Sequence, residues 1–193
     1  MSYFVDPPFS LGQTLGLGEG GVEIGANWIG AIKQFPDVDP KTGTIRSNRV
    51  KLCVAVRNSS GTTLLPKRLV SFVSGSFSAV AGYNTSANNE LVGVVDEHLA
   101  GGVADKDVFW VTVNGPTEVA VALSGTAVAV GDRLSAVSGA TTGATTSGRV
   151  TPSTVGAATT SPGNTGIGVI AYAASAGATT GANVLAFVST PVA

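Results

Sequence analysis

From Val50 onward the chain alternates with a period of two. In Val50-Lys51-Leu52-Cys53-Val54-Ala55-Val56, the residues Val50, Leu52, Val54 and Val56 share one face of an extended segment. Val119-Ala120-Val121-Ala122-Leu123 alternates large and small residues, and Phe109-Trp110-Val111-Thr112-Val113 has the aromatic and β-branched composition that pleated strands favour. The same pattern predicts strands near 69–73, 77–81, 91–95, 133–137, 167–171 and 184–188. Turn chemistry separates them at Asn58-Ser59-Ser60-Gly61, Asn114-Gly115-Pro116, Ser138-Gly139 and Ser161-Pro162-Gly163-Asn164. No stretch carries a sustained helical stripe, although 97–106 has room for one turn of helix. Short strands spaced by roughly ten residues predict an all-β domain, a single barrel or sandwich.

The pattern is written twice. Ser60-Gly61-Thr62 and Val73-Ser74-Gly75 recur as Ser124-Gly125-Thr126 and Val137-Ser138-Gly139, with Leu64 matching Val128 and Val70 matching Leu134. Downstream, Val92-Gly93-Val94-Val95 matches Ile167-Gly168-Val169-Ile170, and at that spacing Gly102 meets Gly177, Phe109 meets Val184 and Val113 meets Val188. The extra residues of the second copy fall in the Gly/Ser/Thr/Ala tract 139–165, which reads as a loop with room for a hairpin. Half-repeats of about 50–115 and 116–193 each have too few strands to bury a face alone, so together they complete one β body. Lys67-Arg68 of the first copy stands where the second has Gly131-Asp132, so what repeats is architecture and not that basic pair.

Residues 1–48 are different. Pro7, Pro8, Pro36 and Pro40 and the glycines Gly16, Gly18, Gly20 and Gly21 weaken regular structure, yet Tyr3, Phe4, Phe9, Trp28 and Phe35 make the segment too aromatic for a disordered tail. The reading is an extended N-terminal arm, 1–48, before a β domain, 49–193. Phe4, Phe9, Trp28 and Phe35 are its candidate partner contacts, because aromatic anchors dominate binding energy; the competing role for them is packing on the protein's own core.

Composition narrows the function. Net charge is −1 and charged residues make up 12% of the chain, about half the usual share. Nothing in this balance points to nucleic acid or a membrane surface, and a surface built from Ser, Thr, Ala and Gly suits a subunit partly covered by neighbours. No run of apolar residues is long enough to span a bilayer, and the first residues lack the basic and apolar regions of a signal peptide. Cys53 is the only cysteine, which excludes an intramolecular disulfide and reads as a small buried residue.

The search for chemistry is negative. His98 is the only histidine; Asp96-Glu97-His98 offers no relay geometry, no nucleophile elbow is present, and the tripeptide reads as a solvated loop after a strand. Asp37-Val38-Asp39-Pro40-Lys41-Thr42-Gly43 lacks the later ligands of a calcium loop and reads as a turn. Gly16-Leu17-Gly18-Glu19-Gly20-Gly21 has the glycine spacing of a dinucleotide loop without the preceding strand, and Glu19 opposes a pyrophosphate. The expectation is a protein that is not an enzyme, with no catalytic set, cofactor or metal.

The order LCVAVRNSSGTTLLPKRLVSF, LVGVVDEHLAGGVADKDVFWVTVNGP, GDRLSAVSG and GIGVIAYA, over about residues 50–190, resembles the small all-β capsid decoration (cement) proteins of tailed bacteriophages. The arm lies outside this resemblance. It implies a virion structural protein made in the host cytoplasm, a homo-oligomer (trimer or dimer) on the capsid exterior, where it clamps neighbouring major capsid subunits. The alternative is a saccharide-binding head-fibre or tail module using Tyr83, Trp110 or Tyr172.

Overall fold

The computed structural model describes residues 7, 9–16, 24–39, 42–73, 76, 78–82, 91–122, 127–136, 148–152, 171–177 and 182–190. Among these residues a short 3-10 helix, Ile24–Trp28, precedes ten strands: β1 Ile32–Val38, β2 Ile45–Asn58, β3 Leu69–Phe72, β4 Ala79–Gly82, β5 Leu91–Val95, β6 Val108–Ala120, β7 Arg133–Ala136, β8 Val150–Pro152, β9 Ala171–Ala173 and β10 Asn183–Ser189. The protein is all-β. The strands form one sheet in the order β1-β2-β4-β3-β5-β6-β10-β9-β7-β8, and an additional β2–β6 pairing closes β2, β4, β3, β5 and β6 into a ring of five.

The second copy closes in the same way. From β6 the order runs β10-β9-β7-β8, and a parallel bridge between Val150 of β8 and Val121 joins β8 back to the residue after β6. The first ring is also closed by a parallel pair, β2 with β4 at Arg57↔Ala79 and Asn58↔Val80. Strand β6 is therefore shared: its first half ends one ring, and its second half opens the next.

Backbone hydrogen bonds fix which residues correspond. Lys67 N donates to Val95 O and Val95 N to Arg68 O; Gly131 N donates to Ala173 O and Ala173 N to Asp132 O. Leu64 and Val103 exchange both bonds, as do Val128 and Gly177. Asp96 N donates to Trp110 O, as Ala174 N does to Leu185 O. Val94-Val95 thus corresponds to Tyr172-Ala173, three residues later than the match to Val169-Ile170 suggested. The shared Gly-Val pattern misled because hydrogen-bond register and not letter identity defines equivalence in a sheet; residues 167–170 lie outside the described residues.

Each ring has its own apolar interior. Val56, Leu64, Val70, Val80, Val95, Val103, Phe109, Val111 and Val113 fill the first, and Val119, Val128, Leu134, Val150, Ala173, Val184, Ala186 and Val188 fill the second. Phe109 and Val184 are counterparts, as the sequence comparison had them. Along β6 Phe109, Val111 and Val113 enter the first interior and Val119 the second, which is the period of two made visible.

Two expectations give way. Asn114-Gly115-Pro116 is not a turn: β6 runs straight through it. Gly115 takes φ +112, and the β2–β6 register jumps from Leu52↔Asn114 to Cys53↔Thr112, so Val113 is the extra residue of a bulge inside a long strand. A side chain at Gly115 would collide with the Val50 carbonyl. The arm is also not a separate extension up to residue 48. β1 pairs antiparallel with β2 from Ile32↔Val54 to Val38↔Ile45, and Leu15 exchanges both backbone bonds with Val108. An edge strand tolerates Pro36, whose missing N–H costs little where no ladder partner needs it.

Candidate functional site

The N-terminal segments lie on the outer face of the first ring. On β2 the residues Cys53 and Ala55, and on β6 Val108 and Trp110, point away from the ring interior and are buried by Phe9, Leu11 and Phe35. Phe9 stacks on Trp110 at 4.6 Å between ring centroids, and Phe35 meets the same ring edge-on at 5.3 Å. Trp110 Nε1 donates to the Phe9 carbonyl at 3.3 Å. Burial pushes the Cys53 thiol up to about 12, so it is an unreactive filler.

This placement corrects the expected role of two aromatic residues. Phe9 is 2% exposed and Phe35 8%, so neither has surface to offer a partner. Trp28 is half-buried against the same layer, and Phe4 lies outside the described residues. The sequence showed that these rings need an apolar surface; it did not show that Trp110 supplies it. Trp110 is itself fully buried and forms no exposed platform. Tyr83 lies outside the described residues, whereas Tyr172 is exposed.

Beside this aromatic layer lies a buried charge network that sequence reading missed. Asp96, Glu97 and Lys51 are buried, as is Asp37 on β1, so the Asp96-Glu97-His98 turn is not the solvated loop expected. Glu97 is the hub. Its carboxylate accepts two hydrogen bonds from Arg46, at 2.6 and 2.9 Å, another from the Glu118 backbone N–H at 3.0 Å, and one from Lys51 Nζ. Arg46 also donates to Asp37 Oδ1 at 2.6 Å, and Ser47 Oγ donates to Asp37 Oδ2 at 2.8 Å. Lys51 Nζ lies 3.6 Å from Asp37. The stretch Asp37–Gly43 therefore spends its first carboxylate on Arg46, and Asp39 closes the hairpin turn by accepting the Gly43 N–H.

The two neighbours of Glu97 complete the clamp. Asp96 accepts the Gly12 backbone N–H with one oxygen and the His98 N–H with the other, at 3.0 Å for the latter. His98 Nε2 is buried without a hydrogen-bond partner and lies 3.6 Å from Glu97 Oε1. Burial pushes the Asp96 carboxyl above the usual carboxylate range, against the pull of the Gly12 and His98 N–H groups. Burial likewise lowers the His98 pKa, against the pull of Glu97. For Glu97 burial acts upward too, but the Arg46 hydrogen bonds and the Lys51 charge outweigh it and hold the carboxyl at about 2. One tripeptide thus fastens both N-terminal pieces: residues 9–16 through Asp96, and the β1–β2 hairpin through Glu97.

This arrangement can hold chain segments together; its charges face each other. Among the described residues no group of three or more His, Cys, Asp or Glu side chains is arranged to hold a metal ion. No helix of the described residues is long and apolar enough to cross a membrane.

A different surface is left open. The ribbon of β1 and β2 shows solvent an apolar face: Ile32 is 62% exposed, Ile45 67% and Val50 53%. Pro36 lies opposite Val50, Val38 opposite Ile45, and Gln34 between them adds no charge.

Neither a protein-family model nor a curated protein matches the sequence. Among solved structures the fold is similar to the head fiber gp8.5 N base of bacteriophage phi29, at 16% sequence identity and a TM-score of 0.39, over 73% of this chain and 97% of that one.

Proposed function

We propose that the protein is a structural component of a phage virion that decorates the outside of the head, as an oligomer, and binds neighbouring major capsid subunits. The observation that carries this reading is the exposed, uncharged apolar ribbon of Ile32, Pro36, Ile45 and Val50 on a chain with few charges overall. The sequence resemblance to capsid decoration proteins supplies the partner. The ribbon replaces Phe9 and Phe35 as the grip, and the clamp around Glu97 holds it at a fixed angle on the first ring. The reading includes no catalysis: the charge network is structural. A cement acts by linkage, since binding the assembled shell and not separate subunits stabilises the shell by the difference. Attachment at several points then raises the effective affinity.

Sedimentation of the protein with expanded, undecorated phage heads, followed by electron microscopy of the pellet, tests this. The wild type is expected to occupy a regular lattice of sites, and an Ile32→Asp/Val50→Lys variant to stay folded and remain in the supernatant. A wild type that never co-sediments, or a variant that decorates at full occupancy, refutes the reading or its grip respectively.

A further inference from the structure

On the outer face of the second ring, cross-strand register places three side chains in a row: Phe187 of β10 opposite Tyr172 of β9, and Tyr172 opposite Arg133 of β7. Direct partners in an antiparallel ladder stand side by side on one face. Arg49 closes the row from β2, with its guanidinium 5.0 Å from the Phe187 ring centroid. Tyr172 is 49% exposed, and both arginines are exposed. Neither arginine makes an ion pair with a described carboxylate: Glu118 is taken by Lys67 at 2.6 Å, and Asp132 accepts the Ala129 N–H.

We propose that the Arg49–Phe187–Tyr172–Arg133 row binds an acidic saccharide. Aromatic faces stack on the apolar face of a sugar ring, and guanidinium groups take a carboxylate in a bidentate pair. The two arginines at the ends of the row, neither in an ion pair with a described carboxylate, select an anionic ligand over a neutral one. A peptide fits less well. The row lies on a sheet face whose strands are paired on both sides at Phe187 and Tyr172, so a peptide gains no main-chain ladder there. On the first ring the docked N-terminal peptide is held by Asp96, whose counterpart here is Ala174.

The proposal is independent of capsid binding, so protein that misses heads but binds polysaccharide fails only the earlier reading. The test is affinity electrophoresis of the full chain through gels containing polygalacturonate, hyaluronan or polysialic acid, beside a neutral dextran gel. Retardation by at least one acidic polymer and not by dextran is expected, weakened about tenfold by Tyr172→Ala and by Arg133→Ala, the effect of one lost stacking or bidentate contact. Both side chains are exposed, and a circular dichroism spectrum matching the wild type shows that each variant is folded. No retardation in any of the three gels, equal retardation by dextran, or unchanged retardation of both variants overturns the proposal. So does binding to a Glu/Tyr copolymer with none to polysaccharide, which assigns the row to an acidic peptide.

Discussion

The turn after β5 and the turn after β9 are the same turn in two copies of one architecture. Asp96-Glu97-His98 occupies the first and Ala174-Ser175-Ala176 the second, with matching backbone bonds to Trp110 and Leu185. In the first, the Asp96 and Glu97 side chains fasten the N-terminal segments over Trp110. In the second, Ser175 Oγ merely accepts the Leu185 N–H at 2.9 Å, and Leu185 stays half-buried with no aromatic ring among the described residues stacked over it. Ring closure needs only the apolar positions common to both copies. What distinguishes the copies is carried outward: one face is covered from within the chain, and the other is left open with Tyr172 and two arginines on it.

The comparison breaks most sharply at Glu97. Glu97→Gln leaves Lys51 buried beside Arg46 with a single remaining carboxylate, and loss of one partner of a buried pair costs about 3–5 kcal/mol. Ser175→Ala at the equivalent turn is expected to cost about 1 kcal/mol or less. Urea denaturation of the two variants measures the contrast; equal losses would show that the clamp adds nothing. The pH dependence has a definite sign. A carboxyl held at about 2 in the folded state stabilises fully above its ordinary 4.5, and this contribution fades as pH falls from 4.5 towards 2. The gap between wild type and Glu97→Gln should close over that window. His98 adds an earlier loss, because burial disfavours the imidazolium that forms in the unfolded chain below its ordinary 6.5. Asp96, raised by burial, works the other way and favours the folded state on acidification.

Removing the cover is the next largest change. Phe9→Ala deletes a stacked, buried ring and is expected to cost about 3 kcal/mol, the low end for buried aromatic truncation, since the layer lies at the periphery. Tryptophan fluorescence reports it locally: the Trp110 emission should shift to longer wavelength and become accessible to quencher. An unshifted spectrum would mean that another group covers the indole. Gly93→Ala follows. Its counterpart Ala171 already carries a Cβ, but at Gly93 that atom would run into the Thr112 carbonyl oxygen and Val111 across to β6. A loss of about 1–3 kcal/mol in thermal or urea unfolding is expected, against a smaller loss for Ala171→Gly; the reverse order would refute the structural equivalence of β5 and β9.

Much of the fold was legible because its cause is local. Alternation over five to seven residues locates β3, β5, β7 and β10, and a repeated Ser-Gly-Thr tripeptide marks the two copies in the sequence. The clamp was illegible because its cause is distant. Lys51 and Glu97 are 46 positions apart and Gly12 and Asp96 are 84, so no spacing near Asp96-Glu97-His98 announces its partners. The same holds for the aromatic residues of the first 48. Phe9 and Phe35 declare that they need an apolar surface, and only the register of β1 on β2 and the approach of Leu15 to Val108 decide that the surface is Trp110. β1 itself was hidden by Pro36, an argument against a central strand that does not apply at a sheet edge.

The smallest effect lies at the pair that first separates the two copies in sequence, Lys67 and Gly131. Both sit at the turn before the first short strand of their ring, and both have positive φ, 64° for Lys67 and 88° for Gly131. Glycine adopts this conformation freely, whereas a side chain there costs about 1 kcal/mol. Lys67 offsets part of that through its exposed pair with Glu118, for which about 0–1 kcal/mol is usual. Lys67→Gly should therefore change stability by no more than about 1 kcal/mol, towards higher stability once salt has screened the ion pair away. Gly131→Lys meets no described group within 4 Å of its Cβ and no described counterpart of Glu118, and should cost about 1 kcal/mol at any salt concentration. Urea midpoints at low and high salt separate the two terms. A stabilisation by Lys67→Gly that does not grow with salt would show that the pair with Glu118 contributes nothing and that backbone strain alone distinguishes the copies at this turn.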